Sequence, residues 1–291
     1  MANEISVAQL AGSIPDVVRA IALQARFDAA VMVKNVMNVD ADVQKAGDRV
    51  SLSIMPTLSV NSVGTGGSVT RQQVSLTAVE VVVDTWKECT VDITDQASAQ
   101  SALNMVKEFS KEMGDALGEV QDTSLGALYA TLTGLTAVGP TDTPVPFDDS
   151  AIRLARLRLD KAKVPKTDRM WFICPDAEQD LLAQARFTEA QNTGFARGLQ
   201  VEKGRISSLY GDPVYVTNQI ASVAGSVAGT VRKNMLVHKQ ALGIATQRNF
   251  KIVPLAKVQL SEAITGHILY GVKVVRSNHG VVVNSAVNAD A

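Results

Sequence analysis

The sequence predicts an α+β fold, on three observations. Residues 47–93 read as β structure built around a glycine-rich tip. Residues 95–132 carry one apolar stripe at helical spacing. Beyond residue 165, short Val- and Ile-rich segments bounded by Gly, Pro and Asn replace the helical period, and strands dominate to the end. Hairpin, long helix, mixed segment and late strands in that order are the signature of segregated α and β elements rather than of alternating βα units.

At the N-terminus, Ser13-Ile14-Pro15-Asp16 is a helix start, with Ser13 as cap, Pro15 in the first turn and Asp16 three residues after the cap. Val17, Val18, Ile21, Ala25 and Met32 follow as an apolar stripe. The first ~35 residues therefore form an arm with one amphipathic helix, which packs either on its own body or on another subunit. β structure opens at Gly47, and Pro56 in the outgoing arm restricts it to an edge or a bulge. The stretch "LSVNSVGTGGSVTRQQVSLTAVEVVV", residues 58–83, has two β-patterned arms around a tip supplied by Gly64, Gly66 and Gly67. In its second arm Val74, Leu76, Ala78 and Glu80 share one side; Ser75, Thr77 and Val79 share the other. "WKECTVDITD" extends the returning strand to about residue 93. This hairpin has no evident core to lie on.

Thr94 and Asp95 cap the next element. Leu103, Val106, Phe109, Met113, Leu117, Val120, Leu125, Leu128 and Leu132 recur every three to five residues, which predicts one helix on the order of 57 Å long. Gly114, Gly118 and Gly126 lie off that stripe. Residues 133–149 are a Gly- and Pro-bearing loop, and Asp148, Asp149 or Ser150 caps a second helix, "AIRLARLRLDKAK". Its Arg153, Arg156 and Arg158 are either a solvated face or a face turned toward phosphate or an acidic neighbour. "RMWFICP" is a buried strand, "PDAEQDLLAQA" a helix with acids in its first turn, and "GRISSLYGDPVYVTN" two strands about a Gly-Asp-Pro turn. "ASVAGSVAGTVRKN" reads as a small-residue loop; "MLVHKQALGIAT", "KIVPLAKVQL" and "HILYGVKVVRSNHGVVVNS" read as strands.

The 291 residues carry a formal net charge of -1. That argues against a dedicated nucleic-acid binder, which needs a strong basic excess, and leaves little self-repulsion against close packing of copies. Cys89 and Cys174 read as two buried reduced thiols; His238, His267 and His279 have no ligand spacing, so no metal is expected. "GTGGS" is not a phosphate loop: a strand follows it instead of a helix, and no lysine lies between residues 46 and 86. Asp176/Glu178/Asp180 and Asp92/Asp95 are explained by caps and solvated faces, and nothing visible lowers the pKa of Cys174 beside Pro175. No catalytic residue and no cofactor is expected. The N-terminus lacks a signal peptide and no window holds ~20 uninterrupted apolar residues, so a membrane location is not expected, and synthesis in a cytoplasm is.

Function is then to be sought in self-association. An exposed hairpin offers unpaired edges to another chain; its candidate contact residues are Val60, Ser62, Val63, Gly64, Gly66, Gly67, Val69, Arg71 and Gln73. The order of elements, with "RMWFICPDAEQDLLAQARF", "KGRISSLYGDPVYVTNQI", "NMLVHKQALGIATQ" and "LYGVKVVRSNHGVVV", resembles the major capsid proteins of tailed bacteriophages, which share the Hong Kong phage-type fold. The resemblance covers nearly the whole chain.

It implies an N-terminal arm (1–46), an extended loop with flanking strands (47–93), a peripheral domain with a spine helix (94–164), an axial domain (165–240), and late strands (241–291) returning to both domains. It implies hexamers and pentamers of this chain in an icosahedral shell, with a portal protein and double-stranded DNA on the inner surface. It implies a virion protein assembled in the bacterial cytoplasm. Some relatives carry a loop lysine that forms an isopeptide bond; residues 58–83 hold none, so non-covalent contacts are expected to stabilise the shell. Some begin with a long charged segment; this chain opens almost directly at the arm, which implies a separate scaffolding protein or earlier processing. Two other readings stay open: an encapsulin-like compartment shell, and a soluble enzyme with a cryptic site.

Overall fold

The computed structural model describes residues 30–40, 48–56, 58–63, 65–69, 71–94, 105–142, 144–184, 201–202, 205–225, 229–254 and 261–286. The helix expected from Ser13 to Ala25 lies outside them. Met32, the last residue of that stripe, is buried in a turn rather than a helix. Strand β1 (Met37–Asn38) follows it, then β2 (Arg49–Ile54) and β3 (Thr77–Val82), which form an antiparallel pair, and β4 (Thr85–Thr94). Helix α1 (Met105–Gly126) continues as a 3-10 turn over Ala127–Thr131. Within the predicted 95–132 helix, the 22 residues of α1 span about 33 Å; residues 95–104 lie outside the described set.

Helix α2 (Asp149–Lys161) starts where the sequence puts it: the Asp148 side chain accepts from the Ala151 N–H at 2.9 Å. It is followed by β5 (Arg169–Ile173), α3 (Pro175–Leu182), β6 (Val201–Glu202), β7 (Arg205–Ile206), β8 (Ser208–Leu209), β9 (Asp212–Val216) and β10 (Ser222–Gly225). Then come β11 (Gly229–His238), β12 (Leu242–Pro254), β13 (Ser261–Val274) and β14 (Gly280–Ala286).

Two sheets organise these elements. The first has the order β1-β12-β13-β4, and α1 lies across it. Tyr270 of β13 reaches α1, its hydroxyl 2.7 Å from Ser124 Oγ. The second runs β10-β11-β5-β9-β8, with β14 on the other edge of β11. All five residues of β5 are buried, as a strand covered on both faces requires. Trp171 of β5 meets Phe147 edge-on at 5.7 Å. The late strands thus divide: β12 and β13 build the first sheet, β11 and β14 the second.

Three expectations need correction. "WKECTVDITD" does not prolong the hairpin; β4 leaves it at Val83-Asp84 and pairs with β13 from Thr85 onward. Within the small-residue stretch 221–234, residues 222–225 and 229–234 are strands rather than loop, because β10 and β11 pair, Ser222 opposite Arg232, while 226–228 lie outside the described residues; Ala and Gly lack the β-branched signal, and pairing supplied what propensity did not. The turn before β9 is Tyr210-Gly211, at φ +53° and +89°, not Gly-Asp-Pro; two left-handed residues make the tight turn that matches strand twist. "KIVPLAKVQL" is a strand through its described residues, 251–254; 255–260 lie outside the described residues.

Two side chains tie segments distant in sequence. Asp122, on the apolar side of α1, is fully buried. Its carboxylate accepts the N–H groups of Val31, Met32 and Val33 at 2.6, 3.0 and 3.1 Å. Burial pushes this carboxyl's pKa up, against the pull of the three donors. Asp122→Ala leaves those amides without an acceptor, and we expect a loss of about 3 kcal/mol or more. Chemical denaturation should read that loss, and Asp122→Asn should restore part of it through its remaining carbonyl.

His279 lies buried against His238, ring centroids 5.7 Å apart. Desolvation, with Arg276 and His238 adding, holds His279 down at about 4. A base depressed below its unfolded value of ~6.5 contributes stability that is complete above that value and lost as pH falls toward 4. Acidification through this window should therefore cost up to ~3 kcal/mol. Melting curves of His279→Gln should be flatter between pH 6.5 and 4 than those of the wild type.

Candidate assembly surface

Among its described residues, the extended loop is held to the rest of the chain at its base. Val50, Val81 and Val83 pack with Val39 and Ala245 in a small core of their own, joined by half-buried Met37, Leu52 and Leu269. The Val83 N–H donates to Asp48 O at 2.7 Å and closes the ladder. Inward-facing residues of β3 are therefore Val79 and Val81; Ala78 and Glu80 point out. A β-carbon added to Gly271 of β13 would lie 1.9 Å from the Val82 carbonyl oxygen. The base thus seats directly on backbone, and only glycine permits that approach. The signal in the sequence is a glycine inside a strand-patterned run, "LYGVKVV".

Beyond the base, pairing stops. Among the described residues of 55–76 there is no strand, and all are exposed. The two β-patterned arms expected from residue 58 onward are paired only within 49–54 and 77–82. Pro56, with no N–H to donate, stands just where β2 ends. In place of a ladder, the Gln72 side chain clamps Ser59: the Ser59 N–H donates to Gln72 Oε1 at 3.3 Å, and Gln72 Nε2 donates to Ser59 O. At the tip, Thr65-Gly66 forms a turn with Gly66 at φ +81°. A β-carbon there would touch nothing, so this glycine serves conformation, not space.

The exposed surface is apolar. Val60 is 99% exposed, Val69 78%, Met55 70% and Trp86 62%, with Leu58, Val63, Val74 and Leu76 also about half exposed or more. Covering each such side chain is worth on the order of 1–2 kcal/mol. Large exposed apolar side chains gathered in one segment point to an interaction site rather than to scattered surface apolarity. Of the sequence-derived loop candidates, Val60, Ser62, Val63, Gly66, Gly67, Val69, Arg71 and Gln73 are all exposed on it; Gly64 lies outside the described residues. Arg71 is the one charged residue between 55 and 79.

The three arginines of α2 are engaged within the chain. Arg153 Nε lies 3.0 Å from Asp149 Oδ2. Arg156 pairs with Asp212 at 3.3 Å, donates to Tyr210 O at 2.9 Å and lies over the Tyr210 ring at 5.3 Å. Arg158 donates to Thr136 O at 2.6 Å. Alternation of Arg with Leu could not reveal the partners of Arg156 and Arg158, which come from residues 210–212 and 136; Arg153 pairs one turn back within its own helix. Among the described residues, Leu154 and Leu157 of the same helix, with Val82 of β3, are the remaining large exposed apolar groups outside residues 55–76 and Trp86.

No group of three metal-ligating side chains occurs among the described residues. Cys174 does sit at a helix N-terminus, as N-cap of α3, its Sγ accepting from the Ala177 N–H at 3.4 Å. Burial nevertheless raises its pKa and keeps it a thiol. An open cavity of about 400 Å³ lies beside β9, lined by Val31, Glu178, Val214 and Thr217 among others. No described helix is long and apolar enough to cross a membrane.

Comparison with known proteins speaks to the same features. No protein with a curated description matches the sequence. Solved structures share the fold across nearly the whole chain. That of Mycobacterium phage Che8 superposes with TM-score 0.70 at 20% identity, covering 87% of this chain and 90% of that one. The capsid of cyanophage P-SCSP1u gives TM-score 0.69 at 16% identity, covering 89% of each. A virus-like particle from Pyrococcus furiosus gives 0.59 at 10% identity, covering 92% of this chain and 98% of that one. The family model for phage capsid protein matches residues 77–286, from the returning strand of the loop to the end of β14. The chain belongs to the phage capsid protein family, with the α+β fold of the tailed-phage major capsid proteins.

Proposed function

We propose that this chain is the repeating subunit of an icosahedral head enclosing double-stranded DNA, arranged in hexamers and pentamers and held by non-covalent contacts. One observation carries the proposal: a loop of exposed apolar residues, 55–76, anchored at a base of five buried residues and lacking any core of its own. In the shell, its missing core is the peripheral domain (94–164) of the adjacent subunit. The arm (1–46) lies along a neighbour, and the axial domain (165–240) gathers at capsomer centres. Because residues 58–83 hold no lysine, the loop contributes packing rather than covalent links. A separate scaffolding protein and a portal protein complete assembly, in the cytoplasm of the bacterial host.

Expression of the chain with and without a scaffold, followed by electron microscopy, tests the reading. Closed shells are expected, large and DNA-filled when a portal is supplied. Small uniform particles loaded with protein would instead favour the compartment-shell reading, which the likeness to the Pyrococcus furiosus particle keeps in play. A monomer at high concentration would overturn both.

A further inference from the structure

Three turns of the second sheet converge at the end of α2. The helix closes with a double hydrogen bond: the Lys163 N–H donates to Asp160 O at 3.0 Å and the Val164 N–H to Leu159 O at 3.1 Å. The residue at this closing position is left-handed and normally glycine. Here it is Lys163, at φ +58°, followed by Asp168, at φ +57°. The Lys239 N–H, in the turn between β11 and β12, donates to Asp168 O at 3.0 Å. The Arg276 N–H, in the turn after β13, donates to Ala241 O at 3.2 Å. One corner therefore displays Lys161, Lys163, Lys166, Lys239 and Arg276 against Asp160 and Asp168.

Most of these cations are uncommitted. Lys161, Lys163 and Lys239 are exposed and make no ion pair among the described residues. Lys166 reaches Asp160 only at 3.8 Å, and the buried Arg169 already holds that carboxylate at 2.8 Å. No large exposed apolar side chain occurs in these turns. A protein partner needs an apolar centre to its interface, whereas a phosphate backbone needs only cations on flexible stems. The chain also accepts backbone strain to place a lysine where glycine would sit without cost.

We infer that this corner is a sequence-independent contact surface for the phosphate backbone of double-stranded nucleic acid. The inference rests on the reading of the chain as a genome-enclosing subunit, and it assigns the contact to lysines of the turns rather than to Arg153, Arg156 and Arg158. The test is titration of the unassembled full-length subunit with a fluorescent ~30-base-pair duplex at several salt concentrations, read by anisotropy. Combining Lys163→Glu, Lys166→Glu and Lys239→Glu should flatten the log-affinity against log-salt slope by about 2–3 and weaken binding at low salt by roughly 100-fold.

Lys163→Gly relieves the strained turn, so it should melt higher than the wild type while losing about one unit of slope. This separates a phosphate contact from a structural role. Arg153→Glu should leave the slope unchanged. An unaltered slope in the triple variant, or wild-type binding to polyglutamate as tight as to duplex, would overturn the inference; the latter would point to an acidic protein instead. Shells are scored separately by microscopy. A wild type that binds duplex through these lysines yet never closes shells would sink the genome-enclosing reading and leave the surface standing.

Discussion

Deletion of Ser62–Arg71 leaves a folded subunit that no longer closes into shells. The described residues of this segment are exposed, and none makes a hydrogen bond or an ion pair to the body of the chain. Surface changes away from packed or strained features move stability by about 0.5 kcal/mol or less. The Ser59–Gln72 clamp lies just outside the deletion and brings the cut ends together. The melting temperature should therefore stay within a few degrees of the wild type. What disappears is the apolar surface at Val63 and Val69 and the only charge on the loop, Arg71. At 1–2 kcal/mol for each covered side chain, repeated at every subunit of a closed shell, that loss outweighs a marginal assembly energy. Microscopy should find capsomers or monomers. Intact particles of normal size would show that the loop tip plays no part in assembly.

Gly271→Ala has the opposite profile: it damages the subunit itself. The new β-carbon would stand 1.9 Å from the Val82 carbonyl oxygen, with Val83 Cα at 3.0 Å. Both are backbone atoms, so no rotamer change relieves the clash. Either β3 lifts off β13 or the first sheet deforms. Overpacking of this kind costs about 3 kcal/mol, which at ~2–4 °C per kcal/mol for a chain of this size lowers the melting temperature by about 6–12 °C. Hydrogen exchange should localise the damage: amides of β2, β3 and Val83 should lose protection before those of β5 and β11. An unchanged melting temperature with unchanged protection at Val83 would mean that the loop base does not rest on β13 as described. Shell yield should fall as well, since a lifted base misdirects every loop contact beyond it.

Local signals located most of the elements. Asp148 as a cap, the Pro175 helix start after the buried "RMWFIC" strand, the apolar stripe through Met113, Leu117 and Leu125, and the hairpin base at residues 49–54 and 77–82 all follow from spacing, caps and alternation. The exposed loop was legible too, because an alternating run with a glycine tip and no accompanying core is conspicuous in one dimension. Errors arose where partners decide structure. Residues 222–225 and 229–232 pair as strands although their composition argues for a loop. "WKECTVDITD" joined a sheet whose other members lie beyond residue 240. Arg156 and Arg158 found intrachain partners that their own helix does not announce, whereas Arg153 pairs with Asp149 one turn back.

The sequence by itself determined most of the helical and extended segments, where the apolar faces lie, and that one long loop carries more apolar surface than its own segment can cover. These are properties of neighbours within about ten residues, where propensity, capping and periodicity act. Tertiary structure alone decided that Gly271 is the seat of the loop, that Asp122 holds Val31–Val33, and that basic residues of three separate turns share one corner. Each of these joins residues that only folding brings within bonding distance, and no local pattern encodes a contact whose two halves lie many tens of residues apart.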